Sequence, residues 1–273
     1  MSATGKLPYI PEYGTNVFSK DWDVLLILDA CRWDMYDEFV GRGEPLWSVG
    51  SASGEWMTNT FAEQYKHEMA ETAYVTGNPF SENLAHEDEF ACLDELWKTH
   101  WDSERGTIPP RPITDYAIKR HREGHDRTIA HYMQPHYPFI ASEETGGEMT
   151  WEIIDDEAFS EDSLALWDQF LYGVRDDIET VREAYEANLR HVWNDVEIVL
   201  DNVDGTVAIT ADHGNALGEY GFWGHKPGIV HPKMRRVPWD IQQATDTGSH
   251  QPEIETRTIS QDREDQLKEL GYM

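Results

Sequence analysis

The sequence predicts an α/β protein: a mostly parallel central sheet with helices on both faces, a three-layer sandwich built as one domain over residues 1–273. Three observations predict it. Strand-like and helix-like segments alternate along the chain, as they do when parallel strands are joined by helical crossovers. Val24-Leu25-Leu26-Ile27-Leu28 is an unbroken apolar run, the pattern of a central strand buried on both faces. With 273 residues the chain is long enough for one large core, and its eleven Trp and twelve Tyr supply bulky material for it.

The elements follow in order. A short helix is expected from about Ala30, a second strand over Leu46 to Val49, and a helix over Glu55 to Met69. Ala73 to Thr76 forms a third strand, stopped by Gly77-Asn78-Pro79. Cys92 falls in a polar, helix-like stretch; Ile113 to Glu123 suggests a helix and Arg127 to Met133 a strand. Residues 141–170 are acidic, rich in Trp and Gly, and break the rhythm, which suggests an insertion or lid shaping a substrate pocket. From Asp176 to Leu200, Ile178, Val181, Tyr185, Leu189, Val192 and Val196 recur at helical spacing. Asn202 to Gly205 turns the chain into the strand Thr206 to Thr210. Beyond Trp239 a polar tail, from about residue 241, leads to a short terminal helix over Asp265 to Leu270.

Charge sets the setting. There are 52 Asp and Glu against 22 Lys and Arg, a formal net charge of −30 spread along the whole chain. A dispersed acidic excess keeps a surface hydrated in concentrated salt, where self-repulsion is screened within a few ångströms. Nucleic acid is excluded as a partner, because phosphate backbones need basic patches. No stretch approaches the roughly 20 apolar residues of a membrane span. The polar N-terminus, Met1 to Lys20, has no signal core. The expectation is a cytoplasmic protein of a high-salt environment, with Cys31 and Cys92 as free thiols.

Ligands of an open α/β sheet bind beyond the carboxyl ends of its strands. Two strands end in groups of candidate ligands: the first delivers Asp29-Ala30-Cys31-Arg32, the last Ala211-Asp212-His213-Gly214. Each has a plainer explanation alone, Asp29 as a helix N-cap and Asp212-His213 as a turn. Together Asp29, Asp212 and His213 supply two carboxylates and an imidazole, a set suited to a divalent metal: zinc first, then manganese or calcium. Gly214 would let the backbone turn sharply behind them.

The stretch Thr210-Ala-Asp-His-Gly-Asn-Ala-Leu-Gly-Glu-Tyr-Gly221 resembles the T-x-D-H-G-x-x-L-G-E-x-G signature of sulfatases and related phosphoesterases. Leu28-Asp-Ala-Cys-Arg-Trp-Asp34 is similar to the L-D-x-x-R-x-D element that opens the same superfamily. His131-Tyr-Met-Gln-Pro-His-Tyr-Pro-Phe139 resembles its H-x-x-x-P-H-x-P-F segment, and Gly224-His225-Lys226 and Arg236-Val237-Pro238 fall where it carries similar residues. The motifs appear in family order across residues 22 to 239. The chain thus looks like a small member of the alkaline phosphatase/sulfatase superfamily, of a haloarchaeal, salt-adapted type.

That resemblance implies an alkaline phosphatase-like fold with one or two metal ions, and a nucleophile at the start of the helix after the second strand. Ser53 is the first choice, since Gly54-Glu55 starts the helix and its hydroxyl would face the positive end; Thr58 and Ser51 are the alternatives. A serine before a helix is otherwise simply a cap. Histidines in the family's positions, here His136 and His225, contact the transferred group, bind a second metal or protonate the leaving oxygen. Lys226 and Arg32 would bind substrate oxygens; otherwise they are counter-charges among many carboxylates. Ser51-Ala52-Ser53-Gly54-Glu55 lacks the Pro and Arg of the C/S-x-P-x-R motif that type I sulfatases convert to formylglycine. Cleavage or transfer of phosphate mono- or diesters on a small-molecule, glycan-linked or lipid-linked substrate is therefore the leading expectation. A sulfatase working without formylglycine and an inactive ligand-binding relative are the alternatives.

Overall fold

A computed structural model describes residues 14–141, 166–254 and 263–271. The strands are β1 (Val24–Leu28), β2 (Glu44–Trp47), β3 (Thr72–Thr76), β4 (Cys92–Glu95), β5 (Arg127–Tyr132), β6 (Gly205–Thr210), the short β7 (Ala216–Leu217) and β8 (Trp223–Gly224), and β9 (Arg236–Ala244). The helices are α1 (Trp33–Val40), α2 (Ser53–Thr60), α3 (Lys66–Ala70), α4 (Ser81–Leu84), α5 (Pro110–Arg122), α6 (Leu166–Leu171), α7 (Ile178–Leu200), α8 (Pro232–Arg235) and α9 (Arg263–Glu269). The main sheet has the order β2-β9-β6-β1-β5-β3-β4, and every neighbouring pair is parallel except where β9 runs against β2 and β6. β1 lies mid-sheet and is buried along its length, as its apolar run requires.

β5 shows how the layers form. His131 meets Trp56 of α2 edge-on, with ring centroids 5.6 Å apart, whereas the next residue, Tyr132, hydrogen-bonds Thr114 of α5 at 2.9 Å. Successive strand residues point to opposite faces, so α2 and α5 cover opposite sides of the sheet. α5 packs on α7, and α1 joins them through Tyr36 and Phe39 against Trp193. Val181, Tyr185, Leu189, Val192 and Val196 of α7 form the buried stripe expected from their spacing.

Four elements depart from the expectation. The helix sought over Glu55 to Met69 breaks at Phe61, which leaves helical geometry and inserts its ring among Trp56, Tyr74 and Phe90. Cys92 begins a strand, not a helix; β4 is the sheet edge and half-buried throughout, so it lacks an apolar face. β9 runs on through Ala244 into the supposed tail. Only Arg236 to Trp239 pair with β2, leaving residues 240–244, Asp-Ile-Gln-Gln-Ala, as an open edge beside β6. α1 begins at Trp33, after a turn in which Ala30 takes φ +62°.

Residues 245–254 run back across the ends of α5 and α7, held by Arg122 to Asp246 at 2.7 Å and His250 to Asp115 at 2.5 Å. α9 then docks beside the β4–α5 connection with Leu267 and Leu270 buried. Most of the expected 141–170 insertion, residues 142–165, lies outside the described residues. Cys31 and Cys92 are free thiols. Among the described residues, no helix is long and apolar enough to cross a membrane.

Candidate active site

Four adjacent strands, β6, β1, β5 and β3, end beside one another, and each delivers a polar side chain to the same place. Asp212 and His213 follow β6, Asp29 follows β1, His131 sits near the end of β5, and Asn78 stands two residues past β3. All five side chains are fully buried.

Each carboxylate has one oxygen held and one bare. Asp212 Oδ1 accepts the backbone N–H groups of Ala30 (3.1 Å) and His213 (2.8 Å), while Oδ2 has no hydrogen-bond partner. Asp29 Oδ2 accepts from the Asn78 amide (2.9 Å) and the Ser53 hydroxyl (3.3 Å), while Oδ1 has no hydrogen-bond partner. His213 Nδ1 lies 2.7 Å from the Gly214 carbonyl. A carbonyl only accepts, so Nδ1 carries a proton and Nε2 is the ring nitrogen that faces the carboxylates. That nitrogen is 3.5 Å from Asp29 Oδ1 and 3.6 Å from Asp212 Oδ2.

Two carboxylate oxygens without a hydrogen-bond partner, facing one another and an imidazole nitrogen in a dry site, leave a place that a cation between them would satisfy. Ligand atoms of the three residues lie within 4.8 Å of one another, and the backbone carbonyl on the far ring nitrogen is a frequent partner of a metal-binding histidine. The group fits a divalent cation. Burial and the neighbouring Asp212 push Asp29 well above its ordinary pKa. Burial would raise Asp212 as well, yet His213 and His131 hold it below the usual range. Asp29 is not the cap of α1, whose N-cap position is Arg32. Gly214 serves by close approach and not by an unusual turn: a Cβ there would lie 2.2 Å from the Lys233 carbonyl oxygen.

The three candidate hydroxyls separate clearly. Ser53, the first residue of α2, is fully buried with Oγ 3.2 Å from His213 Nε2. Ser51 Oγ lies 2.8 Å from both the Glu55 carboxylate and the Lys226 carbonyl, its one proton serving either, and accepts from Ile229 N–H, so it ties two loops together. Thr58 is exposed and bonds back to the Gly54 carbonyl within its own helix.

No protein-family model and no curated protein sequence matches the chain. Solved structures do. The lipooligosaccharide phosphoethanolamine transferase EptA of Neisseria meningitidis superposes over 85 % of this chain with a TM-score of 0.58 at 12 % identity. The chain spans half of that protein's length. The C-terminal periplasmic domain of the phosphoethanolamine transferase EptC of Campylobacter jejuni matches 82 % of the chain and 79 % of its own, with a TM-score of 0.53 at 14 % identity. A sulfatase-like protein of Bacteroides thetaiotaomicron covers 81 % of the chain and 64 % of its own, at 0.50 and 12 %. The chain has the alkaline phosphatase/sulfatase fold. At such low identity the likeness is one of architecture.

Within this alkaline phosphatase/sulfatase fold, two further histidines close around His213. Ring centroids are 4.3 Å apart for His213 and His225, and 4.9 Å for His136 and His225. His225 Nδ1 donates to Asn215 Oδ1 at 2.9 Å, and His136 Nδ1 donates to the Tyr137 carbonyl. Burial, with His213 adding to it, pushes His136 down to about 4 and His225 well below its ordinary value. Both rings are neutral near pH 7 and hold no second proton to give to a leaving oxygen.

Arg32 is 4 % exposed and fully engaged: it forks onto Asp34 at 2.9 and 2.7 Å, and reaches Glu219 (2.7 Å) and the Asn215 carbonyl (3.1 Å). Lys226 is exposed beside His225. Trp167 of α6 lies against Gly224, where a Cβ would come within 2.8 Å of the indole; this fixes the strand end that carries His225.

Sequence reasoning did not single out His131, Asn78 or Asn215 as site residues. His131 stood inside a matched motif and lies with Nε2 3.7 Å from Asp212 Oδ2, its Nδ1 paired with the Tyr74 hydroxyl at 2.9 Å. Asn78 stood out only as part of a strand stop.

Proposed function

We propose that this chain is a metal-dependent enzyme that cleaves or transfers phosphate mono- or diesters through Ser53, with Asp29, Asp212 and His213 as the metal ligands. The observation that carries the reading is the Ser53 hydroxyl, 3.2 Å from His213 Nε2 and 3.3 Å from Asp29 Oδ2, beside two bare carboxylate oxygens. A divalent cation, zinc matching this donor set best, would lower the pKa of that hydroxyl and offset charge as the phosphoryl group moves.

Ser53 gives its proton to solvent and attacks phosphorus in line with the leaving oxygen; that P–O bond breaks, the alcohol leaves with a proton from solvent, and Ser53 becomes a phosphoserine. Its place at the first turn of α2 puts the transferred group's oxygens near the helix N–H groups. Entering water or alcohol then attacks the phosphoserine, gives its proton to solvent and breaks the serine–phosphorus bond. His136 and His225 stand beside the site as neutral rings to contact the transferred group or hold a second cation. Phosphate is preferred to sulfate because the formylglycine motif is absent at Ser51 to Glu55. The substrate is a small-molecule, glycan-linked or lipid-linked ester, and the acidic surface suits a cytoplasm rich in salt.

The test is turnover of an aryl phosphate, an aryl phosphodiester and an aryl sulfate in molar potassium chloride, followed by acid quench and peptide mass analysis. A phosphoryl adduct on the Ser53 peptide supports the reading. Sulfate turned over fastest would make the chain a sulfatase of a different chemistry. Metal uptake with no ester cleaved would make it a ligand-binding relative.

A further inference from the structure

We propose that Asn78 and the C-terminal helix α9 are parts of the metal centre: Asn78 sets the orientation of Asp29, and α9 holds the loop that carries Asn78. The inference rests on the metal reading above and extends it to residues far apart in the sequence.

Asp29 has two oxygens, and which one faces Asp212 and His213 depends on what holds the other. The Asn78 amide N–H donates to Oδ2 at 2.9 Å, which turns the bare Oδ1 toward His213. Asn78 has no freedom to swing away. Its amide oxygen accepts Phe80 N–H at 3.0 Å, and its own backbone N–H donates to Thr76 Oγ1 at 3.0 Å. Because its amide oxygen is occupied by a donor, the NH₂ group must be the end that meets Asp29. Gly77, just before it, is pinned by its N–H bond to the His131 carbonyl at 3.0 Å; a Cβ there would lie 2.6 Å from Ile108.

The loop after Asn78 is clamped from the other end of the chain. Arg263, the first residue of α9, donates to the Pro79 carbonyl at 2.9 Å and pairs with Glu82 at 3.4 Å. With the Asn83 amide in its hydrogen-bonding orientation, the same guanidinium also reaches Asn83 Oδ1 at 3.0 and 3.1 Å. A planar fork with several donors suits one side chain holding three groups. α9 is itself anchored: Gln266 donates to the Trp97 carbonyl at 3.1 Å, and Trp97 donates to Ser81 Oγ at 3.0 Å on the same loop. The order α9, Arg263, residues 79–83 at the start of α4, Asn78, Asp29 is therefore continuous, and each member has its contact at hydrogen-bond or ion-pair distance.

The experiment measures zinc affinity of the metal-stripped full chain by competition with a chromophoric chelator in molar potassium chloride. Wild type is compared with Asn78→Leu, Arg263→Ala and Arg263→Lys, and aryl phosphate turnover is followed at saturating zinc. Asn78→Leu is expected to bind zinc about 10–100-fold more weakly, the usual cost of removing a partner that orients a ligand. Arg263→Ala should lose affinity in the same direction by less, and Arg263→Lys should fall between it and wild type. Zinc affinity equal to wild type in both Asn78→Leu and Arg263→Ala overturns the proposal. So does a loss of turnover in Asn78→Leu with zinc affinity intact, which would put Asn78 on the substrate. Should Asn78→Leu fail to fold, the Arg263 pair decides alone, since Arg263 is a partly exposed side chain. A wild-type chain that takes up no zinc overturns the metal reading itself, a result distinct from a variant that binds as well as wild type.

Discussion

Ser53 Oγ and His213 Nε2 stand 3.2 Å apart, although 160 residues separate them in the chain. The contact joins the start of α2 to the residues after β6, and neither the Ser51 nor the Thr58 hydroxyl makes it. Ser53→Ala should lower ester turnover by at least about 10³-fold while zinc uptake persists, because the nucleophile is lost and the ligands remain. Thr58→Ala should change little. Ser51→Ala should lower stability more than turnover, since its hydroxyl ties Glu55 to the Lys226–Ile229 loop. Turnover that survives in Ser53→Ala would remove Ser53 from the chemistry.

The Arg32 cluster makes a prediction about pH. Burial works against the Asp34 carboxylate, but Arg32 and Lys233 hold it below the ordinary range; Glu219 is lowered mainly by Arg32, again against burial. Carboxyl groups lowered on folding stabilise the protein above their ordinary values of about 4, and that stability is lost as pH falls through their folded values. Arg32→Met should cost about 1–3 kcal/mol at neutral pH, less than a fully buried pair because both acids are partly exposed. It should also flatten the fall of Tm as pH drops below about 4. A large rise in KM with Tm unchanged would instead make Arg32 a substrate ligand.

The acidic excess predicts a salt requirement. With a net charge of −30, self-repulsion acts against the compact state until counter-ions screen it. Tm should rise by several degrees between 0.1 and 2 M potassium chloride, and turnover with it. A flat or falling Tm would speak against adaptation to a salty cytoplasm.

Thiol chemistry checks the two cysteines. Burial, with Asp34 and Asp212 adding to it, pushes the Cys31 thiol far up, and burial with Asp94 pushes Cys92 up to about 11. Thiolate is the reactive form, so neither should react quickly with iodoacetamide at pH 8 in the folded protein. Denaturant should release two titratable thiols without reductant. Fast labelling of Cys92 in the native state would contradict the environment described.

The cluster of Asp29, Asp212 and His213 was legible in the sequence because of contrast. Asp29 directly follows a five-residue run that must be buried, and Asp212-His213 ends another such strand, so their polarity stands out. The runs mark these strands as buried but do not set the order that brings β6, β1, β5 and β3 side by side. What could not be read depends on orientation or on partners remote in the chain. Ser51, Ser53 and Thr58 are chemically close to equivalent, and only the pitch and start of α2 distinguish them. Arg32 resembles a substrate ligand until Glu219 arrives on the β7–β8 turn. The polar end of β9 hid a strand because it pairs on one side alone, and Asn78 looked like a strand stop because its partner is a carboxylate 49 residues earlier.

The most direct test of the metal-dependent esterase is metal content and aryl ester turnover measured on one preparation in molar potassium chloride, wild type beside Asp212→Asn. Asp212 presents the bare Oδ2 that a cation would need, so the exchange removes charge while keeping shape. Stoichiometric metal in wild type, with metal and turnover both lost in Asp212→Asn, is the predicted result. A wild-type chain that stays metal-free and inert after zinc, manganese and calcium are each supplied would contradict it.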